Sequence, residues 1–264
     1  MNYQNLTLAD LAIAASLILV NGIISLMLRL EIERVLFWAA VRTVVQLLAI
    51  GYVLGVVFAY PYWYVVLPIM CLMTWTAGRA AACRGRRTYR GLRANSMLSV
   101  WISSWLITAI GLLVIIRIHP WYEPQYAIPI LGMILGNTLT GVSLGMDRMM
   151  QELTSGRGTV EMILTLGGSR WEAARVAARQ AISAGMMPTL NQMTVVGIVS
   201  LPGMMTGQVL AGESPIDAVR YQIVIMFMIA ASSAIGTLLA VWLTYRRLFS
   251  ADHRFLASRL VQRS

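Results

Sequence analysis

The chain has no lysine; all 21 of its basic residues are arginine. A Walker A motif needs a lysine to reach nucleotide phosphates, so the chain is not itself a P-loop ATPase. Charge is scarce as well. Only 12% of the 264 residues are charged and 58% are hydrophobic, roughly half the charge of a soluble domain. The two cysteines, Cys71 and Cys83, show neither zinc spacing nor a disulfide framework. His119 and Glu123 are too few for a metal site. There is no Ser-His-Asp set, no paired intramembrane carboxylates and no H-E-x-x-H, so the residues make no case for an enzyme. The first basic residue, Arg29, follows the first apolar run, and the expectation is that no cleavable signal peptide is present. Asn5-Leu6-Thr7 matches a glycosylation sequon, a triplet common by chance.

What remains is long neutral runs. Apolar segments at about 8–28, 36–58, 63–82, 97–116, 127–146, 187–211 and 221–245 are each long enough, at about 1.5 Å per residue, for a hydrocarbon core of roughly 30 Å. The expected fold is all-α: a polytopic transmembrane helical bundle of about seven spans in a single domain, 1–264. The net charge of +10 does not point to nucleic acid, because the arginines cluster at the ends of the apolar runs. Arg117 and Arg220 fall on one side and Arg42 lies inside span two. Every other arginine lies in or beside the turns after spans one, three and five, or in the tail. The positive-inside rule then puts the N-terminus outside and the C-terminus in the cytosol. Tyr60-Pro61-Tyr62-Trp63-Tyr64 reads as an interfacial aromatic belt.

The organising stretch is 159–207, within a cytosolic section of about 147–186 that feeds span six. Val160, Ile163, Leu164 and Leu166 mark a short helix with Glu161 at its start, where a negative charge suits the helix N-terminus. Gly167 and Gly168 would close that helix. Ser169 and Glu172 then fit a capping box opening the next one. This pattern is a cytosolic knob joined to a membrane span, the kind of handle a membrane subunit offers a soluble partner. Pro202 and Gly203 are expected to kink span six near mid-membrane. Gly132/Gly136, Gly141/Gly145 and Gly203/Gly207 form small-xxx-small repeats that let helices approach closely, so spans five and six are the expected packed, moving centre.

Arg42 and Gln46 share one face of span two. A charge at this depth costs roughly 2.5–3.5 kcal/mol against lipid and must face protein or water. Asn137 and Asn191 are possible partners. The set reads either as a transport path or as a link holding helices in register. Met133, Met204 and Met205 are candidate soft-metal ligands among 17 methionines. The same residues serve equally as adaptable filler.

Gly167-Gly168-Ser169, Met187-Pro188-Thr189-Leu190-Asn191-Gln192 and the run from Val196 through Leu201-Pro202-Gly203-Met204-Met205 to Gly207 resemble the FetB-type ABC-transporter permease family. Further matches are Arg42 with Gln46-Leu47, Ile128-Pro129-Ile130, Gly136-Asn137 and Tyr221-Gln222-Ile223. The resemblance implies a permease in the cell (inner or plasma) membrane. It implies a homodimer paired with two separate ABC ATPase subunits that use ATP and Mg, with no cofactor in this chain. Bacterial members are linked to iron export, and related plant permeases to aluminium tolerance. A sugar nucleotide or other small solute is the alternative cargo, and a scaffold or stress sensor the alternative class. Glu161, Leu164, Gly167, Gly168, Ser169 and Glu172 would contact the ATPase; of these, Glu161 and Gly167 have the six-residue offset of the EAA loop in importer permeases, with Met162-Ile163 in place of its two alanines. Arg42, Gln46, Asn137, Asn191, Pro202 and Gly203 would line or gate the path.

Overall fold

The computed structural model describes residues 8–29, 31–85, 87–250 and 252–262. The sequon at Asn5, together with Arg86 and Arg263, lies outside them. The chain divides into two compact units, Met1–Tyr60 and Pro61–Ser264.

The first unit holds α1 (Leu8–Met27) and α2 (Glu33–Ala59). The two helices lie against each other, and Ser25 Oγ donates to Glu33 Oε2 at 3.1 Å beside their turn. Their outward faces are apolar: Leu17, Leu19, Leu26, Leu47 and Leu48 are all largely exposed. A continuous apolar surface of this kind is suited to lipid or to a partner.

The second unit contains α3 (Trp63–Cys83), α4 (Leu92–Ile110), α5 (Pro124–Ser155), α6 (Arg157–Thr165), α7 (Arg170–Val195), α8 (Gly203–Leu210) and α9 (Pro215–Leu248). α4 runs on into a π-turn at Gly111–Ile115, where Met228 of α9 fills the space beside Gly111. Strands β1 (Arg87–Thr88) and β2 (Val261–Gln262) pair antiparallel, with Arg87 opposite Gln262, and tie the tail to the loop before α4. Among the described residues, Glu33–Ala59, Trp63–Cys83, Leu92–Ile115, Pro124–Ser155 and Pro215–Leu248 are long and apolar enough to cross a membrane. They coincide with expected spans two, three, four, five and seven. Span one is helical too, with its described apolar part at Ile13–Met27.

Span six differs from expectation. It is not one kinked helix over 187–211. α7 ends at Val195, the chain is irregular through Pro202, and a separate short helix starts at Gly203. Two residues force the gap. Gly197 takes a positive φ of 87°, and Pro202 stands extended as the N-cap of α8, a position that needs no backbone donor.

α5 is the core helix, packed against α3, α4, α7 and α9. Small residues make this possible. A Cβ added at Gly185 of α7 would stand 2.6 Å from the Gly141 carbonyl of α5 and 2.5 Å from Thr237 Cγ2 of α9. Added at Gly145, it would stand 2.8 Å from Thr237 Cγ2. Close approach at Gly141/Gly145 therefore holds as expected. Gly136, Gly203 and Gly207 have nothing within 4 Å and make no such contact. The α7 half of the seam is an alanine stripe: Ala174, Ala177, Ala178 and Ala181 are buried. Buried hydroxyls join the helices further. Thr138 and Ser232 share a hydrogen bond of 2.8 Å, Ser96 donates to the Gly78 carbonyl at 2.8 Å, and Trp105 Nε1 donates to Thr74 at 3.0 Å. These three contacts are made inside the protein, whereas the buried hydroxyls of Ser104, Thr108, Ser233 and Thr237 have no partner among the described residues.

Candidate functional site

The knob is built as a helix, a turn and a capped helix. α5 stops at Ser155, with the Gly156 N–H bonded to the Glu152 carbonyl, and α6 begins at Arg157. Glu161 is therefore a mid-helix residue and not the first-turn charge that was expected. Its carboxylate accepts from Arg157 Nε at 2.6 Å, one turn back. The helix starts earlier because Gly156 already breaks α5, leaving Arg157 and Glu161 at the favourable i, i+4 spacing.

α6 ends as the glycines require. Gly167 has φ 88°. Its N–H bonds the Leu164 carbonyl at 3.2 Å, and the Gly168 N–H bonds the Ile163 carbonyl at 2.9 Å. This is a Schellman ending. The capping box is present: Ser169 Oγ accepts from the Glu172 N–H at 3.3 Å, and Glu172 Oε2 accepts from the Ser169 N–H at 2.7 Å and hydroxyl at 2.8 Å. These bonds, the backbone one first, hold the Glu172 carboxyl below its ordinary range.

Val160 is buried, and Ile163 and Leu164 are half-buried toward the body. The free tip carries Met162 and Leu166, 55% and 80% exposed, one turn apart. Sequence reasoning did not single out Met162 as part of this exposed apolar tip, although its i, i+4 spacing to Leu166 was readable. It also missed the brace behind the knob. The Arg170 N–H donates to His253 Nδ1 at 2.9 Å, and its guanidinium donates to the Ser250 carbonyl at 3.1 Å. Rings of Trp171, Tyr245, Phe249 and Phe255 meet in sequence, the first pair edge to face and the next two tilted, with centroids 5.3 to 5.5 Å apart. The tail thus fixes the first turn of α7.

Far along α7 lies the helix break. Gly141 beside Gly185 and Gly145 near Ala181 set α5 and α7 antiparallel. Val195 therefore lies beside the first turns of α5, toward the end opposite the knob and not at the midpoint. Within the break, the Gly197 N–H bonds the Ser200 carbonyl at 2.9 Å, while Ile198 and Val199 are almost fully exposed. A cavity of about 430 Å³ opens between the break, α8 and α9, lined by Met193, Pro202, Met205, Gln222 and Met226. Gln222 is buried in this apolar setting, and its Oε1 has no hydrogen-bond partner among the described residues.

The methionine candidates do not converge. Met205 faces this cavity, whereas Met204 lines a separate one of about 540 Å³ with Glu213 and Asp217, and Met133 sits half-buried on α5. Among the described residues no three His, Cys, Asp or Glu side chains group to hold a metal ion. Asn137 donates to the Met133 carbonyl of its own helix at 3.0 Å. Asn191 is exposed, and Arg42 and Gln46 are exposed on α2 within their unit. Met226 had not been singled out, and Gln222 had been noted only within a family match; only the break and the folding of α8 onto α9 bring them together with Met193.

Apolar helices of spanning length around a small-residue core, with a capped amphipathic knob at one end, define a multi-pass α-helical protein of the cell membrane. Residues 8–249 match the model of the Uncharacterised protein family (UPF0014), and the chain belongs to that family. It is 39% identical to a UPF0014 membrane protein of Synechocystis over 84% of this chain and 85% of that protein. It is 30% identical to the Probable iron export permease protein FetB of Escherichia coli over 98% of this chain and 99% of that protein. With Protein ALUMINUM SENSITIVE 3 of Arabidopsis thaliana it shares 30% identity over 92% of this chain and 88% of that one. No solved structure matches the chain.

Proposed function

We propose that this chain is the membrane permease subunit of an ATP-driven exporter and that its cargo is iron or a small metal complex. The observation that carries the reading is the similarity to the iron export permease FetB along nearly the whole of both chains. In this reading the chain sits in the inner membrane with seven crossings, N-terminus outside, and pairs as a homodimer with two ABC ATPases. ATP and Mg act in those partners. The exposed Met162 and Leu166 of the knob enter a groove of the ATPase, as an amphipathic helix enters a partner groove. ATPase closure then pulls α7 through its braced first turn and shifts it against α5. Arg42 opposes conduction of a bare cation at its depth. An anionic metal complex, or a structural role for Arg42, removes that conflict.

The test is co-expression with candidate ABC ATPase subunits from the same organism. The complex should co-purify, and iron-loaded cells should hold less iron than cells with the ATPase alone. Export of another solute at unchanged iron would overturn the metal assignment. Absence of any co-purifying ATPase would favour a scaffold or sensor.

A further inference from the structure

α7 has two faces. One is the buried alanine stripe. On the other, Arg175, Arg179, Ser183, Met187 and Asn191 recur every fourth residue, and all five are exposed. This face runs from the knob toward the helix break. A cavity of about 1040 Å³ opens over its first four residues, between Arg148 and Trp171.

The charges in this cavity are unbalanced. Its nearby carboxylate, Glu152, is committed: it pairs with Arg148 at 2.8 Å. The Gln180 amide nitrogen, turned toward Glu152, donates to both carboxylate oxygens at 2.8 and 2.9 Å. Arg175 and Arg179 have no ion pair or hydrogen bond among the described residues. Two guanidiniums one turn apart on one helix repel each other. Leaving them bare beside a membrane is unfavourable unless water or an anion occupies the space. Planar forks of five donors match phosphate and carboxylate oxygens in pairs. Ser183 and Asn191 continue the polar track beyond them, where a lipid-facing helix would be apolar.

We propose that this cavity is the entry vestibule for cargo and that Arg175 and Arg179 bind a phosphate or carboxylate group on it. The cargo class is therefore an anion, including an anionic metal complex, and not a bare cation. The proposal rests on the permease reading for the word cargo; the binding itself does not.

The experiment uses the purified full chain in phosphatidylcholine nanodiscs, without ATPase. Equilibrium dialysis measures radiolabelled pyrophosphate and ferric citrate. Saturable binding that weakens as salt is raised is expected for at least one of them. R175Q/R179Q should weaken it roughly tenfold to a hundredfold, the loss of a hydrogen-bonded charge. R175K/R179K should recover part of it, and R90Q, at an exposed site elsewhere, none of the loss. An unchanged melting temperature of R175Q/R179Q separates a binding defect from misfolding; if the double variant melts early, R175Q and R179Q are read singly. Binding of neither anion by the wild type, or equal binding by the glutamine variants, overturns the proposal. The lipid source is tested in discs containing phosphatidylglycerol by native mass spectrometry. Arginine-dependent retention of that lipid, with no binding of either soluble anion, makes the site a headgroup site and also overturns it. Failure of the ATPase to co-purify bears on the transport reading alone.

Discussion

Gly185→Ala tests the seam on which any movement of α7 depends. The added methyl would stand 2.6 Å from the Gly141 carbonyl oxygen and 2.5 Å from Thr237 Cγ2. Ordinary contact is about 3.5 Å or more, so the intrusion is close to 1 Å against two helices at once. Thr237 is buried, and the carbonyl belongs to the backbone of α5, which cannot rotate away. Overpacking of this kind costs about 1–3 kcal/mol. Against it stands the gain in helix propensity from glycine to alanine, about 1 kcal/mol at most. The net expectation is a loss of up to about 2 kcal/mol. At about 2–4 °C per kcal/mol for a chain of this size, the melting temperature should fall by up to about 8 °C. Gly136→Ala is the internal control, since it lies in α5 with nothing within 4 Å; it should be neutral or slightly stabilising. Adding Thr237→Ser to Gly185→Ala removes the methyl clash but not the carbonyl clash, so it should restore part of the loss. The measurement is thermal unfolding of detergent-solubilised protein followed by size-exclusion chromatography. A Gly185→Ala protein that melts above the wild type and above Gly136→Ala would show that α5 and α7 do not approach this closely, and would remove the packed centre from the account.

Gly167→Ala isolates conformational strain, because φ is 88° and a Cβ there meets nothing within 4 Å. It should cost the knob about 1–2 kcal/mol, with Gly167→Val harsher, and should weaken ATPase co-purification or uncouple hydrolysis while insertion is normal; wild-type coupling in both would disqualify the knob. The folded-state carboxyl of Glu172 is lowered by its bonds to Ser169, so the stability it contributes is present above the ordinary value of 4.5 and is lost as pH falls through the lower folded-state value. Hydrogen-exchange protection of the Ser169–Glu172 turn, corrected for intrinsic rates, should drop in that acid range, and Glu172→Gln should abolish the pH dependence. Arg42→Leu should insert at least as well as the wild type, since it removes a cost of roughly 2.5–3.5 kcal/mol, but should transport less, with Arg42→Lys intermediate; full transport by Arg42→Leu would make the guanidinium dispensable.

Sequence alone determined the features that depend on local chemistry. Six of the apolar runs are helices because each buries its own backbone bonds and is long enough to need no partner for them. Gly167, Ser169 and Glu172 announced their turn because a Schellman ending and a capping box involve residues a few positions apart. Other features were decided by tertiary structure. Glu161 was misplaced within α6 because the helix start depends on where α5 breaks. Span six looked continuous because hydropathy does not register Gly197 at φ 87° or the short helix α8 folding onto α9. The alanine stripe of α7 was legible as small residues, but that it closes on Gly141 and Thr237 required the helices to be set side by side. Gln222 and the arginine face of α7 were in plain sight as residues. Their meaning, a buried oxygen and two guanidiniums that find no partner among the described residues, exists only once the neighbours in space are known. Periodicity along one helix fixes which residues share a face, whereas packing between helices fixes which face is covered and which is left for a ligand.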